Sequence, residues 1–288
     1  MDERTGIIGG TGLYSLDGLE VEEAREIHTP YGDPSGPVVL ASLEGVRLAF
    51  LARHGAGHVF SPSEVPYAAN IYALKSLGVR RIVSVSAVGS MKEKIAPRDF
   101  VVPDQLWDRT KGLRRSSFFG GGVVGHVSFG QPFCPVMRGV LAKASAEAGA
   151  RVHDGGSYIC IEGPAFSTRA ESAIYRGMGM DIIGMTAIPE AKLAREAGIC
   201  YATLALVTDY DVWREATEEV TLEMVIANME ANTSLARRAI RTAVVATGSA
   251  VFDCGCRTAS ASAILTAPDH RDPRRMEELR VVLDQGGE

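Results

Sequence analysis

This sequence predicts an α/β fold, a single domain in three α/β/α layers around a central mixed and twisted sheet. Three observations carry the prediction. Strand-type and helix-type patterns alternate nearly from end to end, which places helices on both faces of a largely parallel or mixed sheet. Cys200–Val207 is a near-continuous apolar run, the signature of a strand buried on both faces. A long helical stripe over Thr221–Ala246 sets Leu222, Val225, Ile226, Met229, Ala236 and Ile240 on one side.

The elements follow in order. Thr5–Ile8 is a short strand that stops at Gly9-Gly10-Thr11-Gly12. Val38–Leu43 and Val46–Leu51 flank Glu44-Gly45 and read as a hairpin. Tyr67–Leu77 is amphipathic, with Gly78 where a C-terminal cap belongs. Ile82–Val88 alternates Val and Ser as a strand, then meets Gly89. Pro135–Ala148 reads as a helix, Ser157–Ile161 as a strand and Arg169–Arg176 as a helix. Asp181–Met185 is a strand leading into the helix Pro189–Ala197. No repeat or linker divides the chain, so residues 1–288 are expected to form one domain. After Gly248 the pattern weakens into small residues, Pro268, Pro273 and a charged tail. The segment from about 249 is expected to pack loosely or to order at an oligomer interface.

Composition excludes several classes. An apolar fraction of 46% and a charged fraction of 23% belong to a globular chain, and 288 residues bury a large core without staples. A formal charge of -5 argues against a surface that coats nucleic acid. No apolar run approaches the roughly 20 residues a membrane span needs. Asp2, Glu3 and Arg4 lead straight into a strand, unlike a signal peptide, so a cytoplasmic protein is expected. The five cysteines read mainly as reduced, buried thiols. Cys254-Gly255-Cys256 stands apart, since thiols that close can form a strained redox pair. No set of Cys and His has zinc-motif spacing, and no metal is expected.

Anion chemistry gathers at predicted strand ends. Gly9-Gly10-Thr11-Gly12 follows a strand, so backbone N–H groups and the Thr11 hydroxyl suit an anion. A dinucleotide fingerprint would need a third glycine where Ser15 stands, and a plain tight turn explains the glycines equally well. Arg53-His54 ends the hairpin's second strand, offering a bidentate guanidinium and an imidazole. Ser86 and Thr186 end two further strands. Each hydroxyl alone suits a routine strand-end hydrogen bond; together with Arg53 and His54 they suit a phosphate crevice in an open α/β sheet.

Further motifs carry a family resemblance. They include Leu51-Ala52-Arg53-His54, Asn70–Lys75, Pro132–Pro135 and Glu162-Gly163-Pro164-Ala165-Phe166-Ser167. Met185-Thr186-Ala187-Ile188-Pro189-Glu190, Ala197–Ala202 and Thr208-Asp209-Tyr210-Asp211 continue the series. From Gly6 to about Ala246 the chain resembles the 5′-methylthioadenosine phosphorylases, in the trimeric branch of the purine nucleoside phosphorylases. The resemblance implies a nucleoside phosphorylase-like fold and a homotrimer with sites near subunit interfaces. It implies methylthioadenosine as substrate and inorganic phosphate as co-substrate, with no cofactor. By resemblance, Thr11, Arg53, His54, Ser86 and Thr186 contact phosphate. Ala87, Phe166, Ile183 and Met185 line purine and ribose, while Ser167, Asp209 and Asp211 face the base. Leu222, Val225 and Ile226 form an apolar pocket for the methylthio group, and His126 reaches in from a neighbouring subunit. Plain helix core is the competing reading of Leu222, Val225 and Ile226.

The chemistry fits those residue types. Breaking the glycosidic C–N bond builds positive charge on the sugar, and the purine leaves well only when protonated. Asp209, desolvated and beside Asp211, is expected to have a raised pKa and to protonate N7; a polar turn after a buried strand is the simpler account of Asp-Tyr-Asp. Ser167 can donate to N1 of a 6-aminopurine, where relatives that prefer 6-oxopurines carry Glu. Gly184 departs from the Asn usual in adenine-specific relatives and leaves relaxed base choice open. Cys254-Gly255-Cys256 resembles a Cys-x-Cys of thermophilic relatives that forms disulfides. The rival readings are a phosphorylase for methylthioinosine or ordinary purine nucleosides, a nucleosidase that uses water, and a non-catalytic nucleotide-binding module.

Overall fold

The computed structural model describes residues 3–14, 16–214 and 222–285, without the side chains of Thr11, Tyr14, Met224 and Met229. The phosphate role expected of the Thr11 side chain, and the expectations placed on Ser15, Thr221 and the Met229 side chain, lie outside what it describes.

The chain opens with β1 (Arg4–Gly9), a single 3-10 turn at Thr11–Tyr14, then β2 (Glu20–Arg25), β3 (Val38–Leu43) and β4 (Val46–Ala52). Glu44 and Gly45 both hold positive φ, 48° and 79°, as a tight type I′ hairpin turn requires. Helix α1 (Tyr67–Ser76) follows, and Gly78 leaves it at φ 82°. Next come β5 (Val79–Ser90), β6 (Phe100–Val102), β7 (Gln105–Arg109), α2 (Pro135–Glu147), β8 (Val152–Asp154) and β9 (Ser157–Ile161). The chain continues through α3 (Arg169–Gly177), β10 (Ile182–Gly184), α4 (Ala187–Glu196), β11 (Cys200–Asp209), α5 (Leu222–Ser249) and α6 (Pro273–Leu283).

Among the described residues, eleven strands form one mixed sheet, with β2-β3-β4-β1-β5-β10-β9-β7 in order along its main path. The long strand β5 organises it. Its first part lies between β1 and β11, both parallel to it, while its last residues pair antiparallel with β10. β11 continues to β6, which pairs with β8.

Strand alternation builds two principal cores. Ile8 and Tyr201 pack on the side of α1 and α4, whereas Ile7, Ala202 and Leu204 pack on the side of α2 and α5. Every residue of β11 is buried, so the apolar run does cover both faces. Helices on both faces of a mixed sheet give the expected α/β/α layers.

Two features differ from the sequence reading. Beyond about residue 249, α6 carries the fully buried Leu279 and Val282 into the α1 core. On α5, Ala236 and Ile240 are fully buried but Leu222 and Ile226 are exposed. At 1.5 Å per residue, this 28-residue helix is about 42 Å long. Its first turns overhang the cavity end of the sheet, and a periodic stripe cannot reveal where the supporting layer ends.

Candidate active site

A cavity of about 310 Å³ opens where the ends of β4, β5, β10 and β11 converge. This is the crevice at strand ends where open α/β sheets bind ligands. Its lining includes Arg53, His54, Ser86 and Thr186 on one part, Asp209 and Asp211 on another. Ala87, Phe166, Ser167, Ile183, Met185 and Val225 complete the expected residues found there.

The anion end is assembled by strand register. Ile182 pairs with Ser90 and Ile183 with Gly89; continuing that antiparallel count brings Thr186 opposite Ser86. Their hydroxyl oxygens are 2.9 Å apart. Beside them Arg53 is almost wholly buried. Its Nε donates to Glu190 Oε2 at 2.8 Å, while Nη2 donates to Glu190 Oε1 at 3.0 Å and Ser84 Oγ at 2.7 Å. One Nη1 hydrogen goes to the Val85 carbonyl at 2.8 Å. A guanidinium has five N–H donors, so among the described residues a single Nη1 hydrogen remains for a ligand. The bidentate fork expected for phosphate is spent on Glu190 instead, because a charge this deep needs a partner.

His54 also differs from a simple cationic donor. Its Nδ1 donates to the Phe60 carbonyl at 2.8 Å, and the ring stacks on His58 with centroids 4.2 Å apart. Burial, then the Arg53 charge, lowers its pKa to about 4. The imidazole is therefore neutral near pH 7 and presents Nε2 as an acceptor, complementary to a P–OH group.

The carboxyl end depends on an irregularity in β11. The register with β5 shifts between Val207 and Asp209, a bulge that re-aims Asp209 opposite Gly89. A Cβ at position 89 would stand 2.9 Å from Asp209 Oδ1, so only glycine leaves that approach open. The Asp211 amide donates to Oδ1 at 2.7 Å, and the Thr208 hydroxyl lies 2.7 Å from Oδ2. Thr208 Oγ1 is also 3.2 Å from the Val88 carbonyl. Its single proton serves one of these, so a protonated Oδ2 can donate to Thr208 while Thr208 donates to Val88.

Asp211 sits at φ 52° and accepts a hydrogen bond from Ser172 on α3. Burial raises Asp209, with the bonds from Thr208 and Asp211 opposing. Asp211 rises to about 6, again chiefly by burial, with the Asp209 charge adding to it. The carboxyl is raised by desolvation, as expected, but the neighbouring charge acts on Asp211 rather than on Asp209. Also in the lining, Ser167 Oγ is buried without a hydrogen-bond partner among the described residues, which marks a hydroxyl reserved for something entering the cavity.

The model of the phosphorylase superfamily matches residues 4–245. The chain belongs to that superfamily. The S-methyl-5′-thioadenosine phosphorylase of Geobacter sulfurreducens is 52% identical over 98% of this chain and 99% of its own. The enzyme of the same name from Chloroflexus aurantiacus is 53% identical over 96% of each chain. A crystal structure of a methylthioadenosine phosphorylase from an antarctic soil metagenomic library superposes with a TM-score of 0.93. It is 49% identical and covers 98% of this chain and 99% of that one. A methylthioadenosine phosphorylase from Schistosoma mansoni, solved with adenine, gives a TM-score of 0.86 at 35% identity, covering 91% and 99%.

Three expected residues of the phosphorylase site stand apart from the cavity lining of the single chain. Leu222 and Ile226 are 62% and 47% exposed, so within one chain they are neither pocket nor core. His126 is exposed on the loop whose backbone bonds to Ala263. Sequence reasoning also missed supporting groups. Arg114 and Glu162 form a buried pair at 2.9 Å, and Arg114 Nη1 holds the Met185 carbonyl at 2.6 Å. Glu190 locks Arg53, and Tyr201 donates to Glu190 Oε1 at 2.9 Å. Glu162 and Glu190 stood within the quoted motifs; their unusual burial was the missing signal.

Gly184 has a physical account. A Cβ there would land on the hydroxyl of Tyr158, with the ring Cζ only 2.8 Å away. That hydroxyl is fully buried and lies beside Thr186. The space that a side chain at 184 would fill is occupied by Tyr158. Among the described residues no helix is long and apolar enough to cross a membrane.

Proposed function

We propose that this phosphorylase cleaves 5′-methylthioadenosine with inorganic phosphate as co-substrate, giving adenine and 5-methylthioribose 1-phosphate. One observation carries the reading: a donor-lined anion end and a buried carboxyl pair share one cavity, whose lining also holds a Ser167 hydroxyl unpaired among the described residues. Thr186, Ser86 and the free Arg53 hydrogen hold phosphate, with Thr11 assigned by resemblance. The neutral His54 Nε2 accepts a hydrogen bond from the P–OH of a monohydrogen phosphate. Positioned phosphate and electrostatic stabilisation supply most of the rate.

As the C1′–N9 bond breaks, a phosphate oxygen bonds to C1′ and the bonding pair stays with the purine. Asp209 donates its proton to N7, so adenine leaves neutral. Asp211 holds Asp209 in place through its backbone amide. Ser167 donates to N1 of the 6-aminopurine, and Ala87, Phe166, Ile183 and Met185 enclose base and ribose. Val225 lines the methylthio end, joined by Leu222 and Ile226. Their exposure supports closure by a neighbouring subunit that contributes His126, in a cytosolic homotrimer formed from single-domain chains.

The test is base release from methylthioadenosine, methylthioinosine, adenosine and inosine, each with and without phosphate. Phosphate-dependent release fastest with methylthioadenosine supports the assignment; phosphate-independent release converts it to a nucleosidase. Faster release from methylthioinosine would trace to the missing side chain at position 184.

A further inference from the structure

The cavity leaves one cluster of reactive side chains unused. Cys134 caps the N-terminus of α2, Cys200 opens β11, and Cys254 and Cys256 follow α5. Although drawn from three separate stretches, their four Sγ atoms all lie within 4.8 Å of one another. Cys254 Sγ is 3.6 Å from Cys134 Sγ and 3.5 Å from Cys200 Sγ. Four sulfurs placed tetrahedrally around zinc, at a Zn–S distance of about 2.3 Å, stand about 3.8 Å from each other. Disulfides would divide such a group into two pairs at about 2.05 Å; here all four thiols are free and Cys254 stands equally near two of them.

We propose that Cys134, Cys200, Cys254 and Cys256 form a structural site for one tetrahedrally coordinated zinc ion. Soft thiolates in a closed four-sulfur set select such a metal over hard cations. Three of the cysteines are buried and Cys254 is half-buried, which leaves no open position for a substrate. Ligation converts thiols to thiolates and releases their protons to solvent. The α2 N-terminus favours negative charge on Cys134.

Sequence spacing gave no zinc motif because the ligands meet only in the folded chain. Cys200 and Asp209 occupy opposite ends of β11, about 30 Å apart at 3.3 Å per residue. The ion therefore fastens the loop after α5 to α2 and β11, and takes no part in the cavity's chemistry.

The full chain, purified reduced and without chelators, is expected to carry about one zinc per chain by elemental analysis. Cobalt(II) added to the metal-free reduced chain is expected to give thiolate-to-cobalt charge-transfer bands and the intense visible bands of tetrahedral coordination, both abolished by zinc. Cys254→Ser with Cys256→Ser is expected to lose the metal and melt at a lower temperature, with kcat/KM at ambient temperature unchanged. The cobalt titration of the unaltered chain stands even where that variant fails to fold. Reduced protein that binds neither zinc nor cobalt overturns the proposal.

Discussion

The hydroxyls of Ser86, within β5, and Thr186, just past the end of β10, are one hundred residues apart in the chain and 2.9 Å from each other. The antiparallel register of those strands places them there. A polar pair at the open end of a cavity gives two donors that can turn from each other to an anion. Thr186→Val keeps shape and removes one donor. A lost hydrogen bond to a charged group costs about 1.5–3 kcal/mol, so KM for phosphate is expected to rise by about 10–100-fold. KM for the nucleoside should hardly move. Equal rises in both would remove Thr186 from the anion end.

Glu190 is the counterpart of that end. Glu190→Gln leaves the Arg53 guanidinium buried without a countercharge, a class of change that costs about 3–5 kcal/mol. Urea unfolding should show the loss, and KM for phosphate should change as Arg53 relaxes toward the cavity. Undiminished stability would mean that Arg53 reaches solvent without its partner.

Arg53 shows how much the sequence revealed. Its place at a strand end was legible because the hairpin pattern is local, and so was the chemistry of an Arg-His pair. Its true partner, Glu190, lies 137 residues away, and no periodicity reports such a pairing. The same limit hid β2, whose six residues are all exposed and mostly charged; it exists through pairing with β3 rather than through an apolar face. Leu222 and Ile226 misled the core reading for the opposite reason. Their spacing is helical, but which turns of α5 rest on the sheet depends on where the sheet ends.

Asp209 is the residue on which turnover should depend most. Asp209→Asn is expected to cut kcat by about 10²–10⁴-fold, the usual range for an essential proton donor. Gly89→Ala tests the same group indirectly, since its methyl would press on Asp209 Oδ1 and Ile183. A smaller fall in kcat is expected there. Near-normal methylthioadenosine cleavage by Asp209→Asn would sink the assignment.

Two groups in the site set opposing pH dependences of stability. His54, lowered to about 4 by burial and Arg53, takes up a proton less readily folded than unfolded, where its value is 6.5. Its contribution therefore grows as pH rises from about 4 to 6.5. Asp211, raised from 3.8 to about 6 by burial, binds its proton more readily in the folded chain. Its contribution falls over that interval. Each slope is at most about 1.4 kcal/mol per pH unit, and solvent screening reduces both. In the unaltered chain, urea unfolding across this window reads the balance of the two, with the raised Asp209 adding to the falling side. Relative to the unaltered chain, His54→Gln should make the slope more falling and Asp211→Asn more rising; the same slope in both variants would contradict these shifts.

Tyr158 and Gly184 should behave as a coupled pair. A methyl at position 184 has no room beside the Tyr158 hydroxyl and ring, and overpacking of this kind typically costs about 1–3 kcal/mol. Gly184→Ala alone is therefore expected to be destabilising, and to raise KM for phosphate because the displaced hydroxyl lies against Thr186. Tyr158→Leu empties the space and costs stability by itself, through a cavity. Combining the two should recover part of both losses, with a coupling of about 0.5–3 kcal/mol in a double-mutant cycle. Strict additivity would show that the tyrosine moves aside freely. In that case the absence of a side chain at position 184 would need a cause in the ligand rather than in the packing.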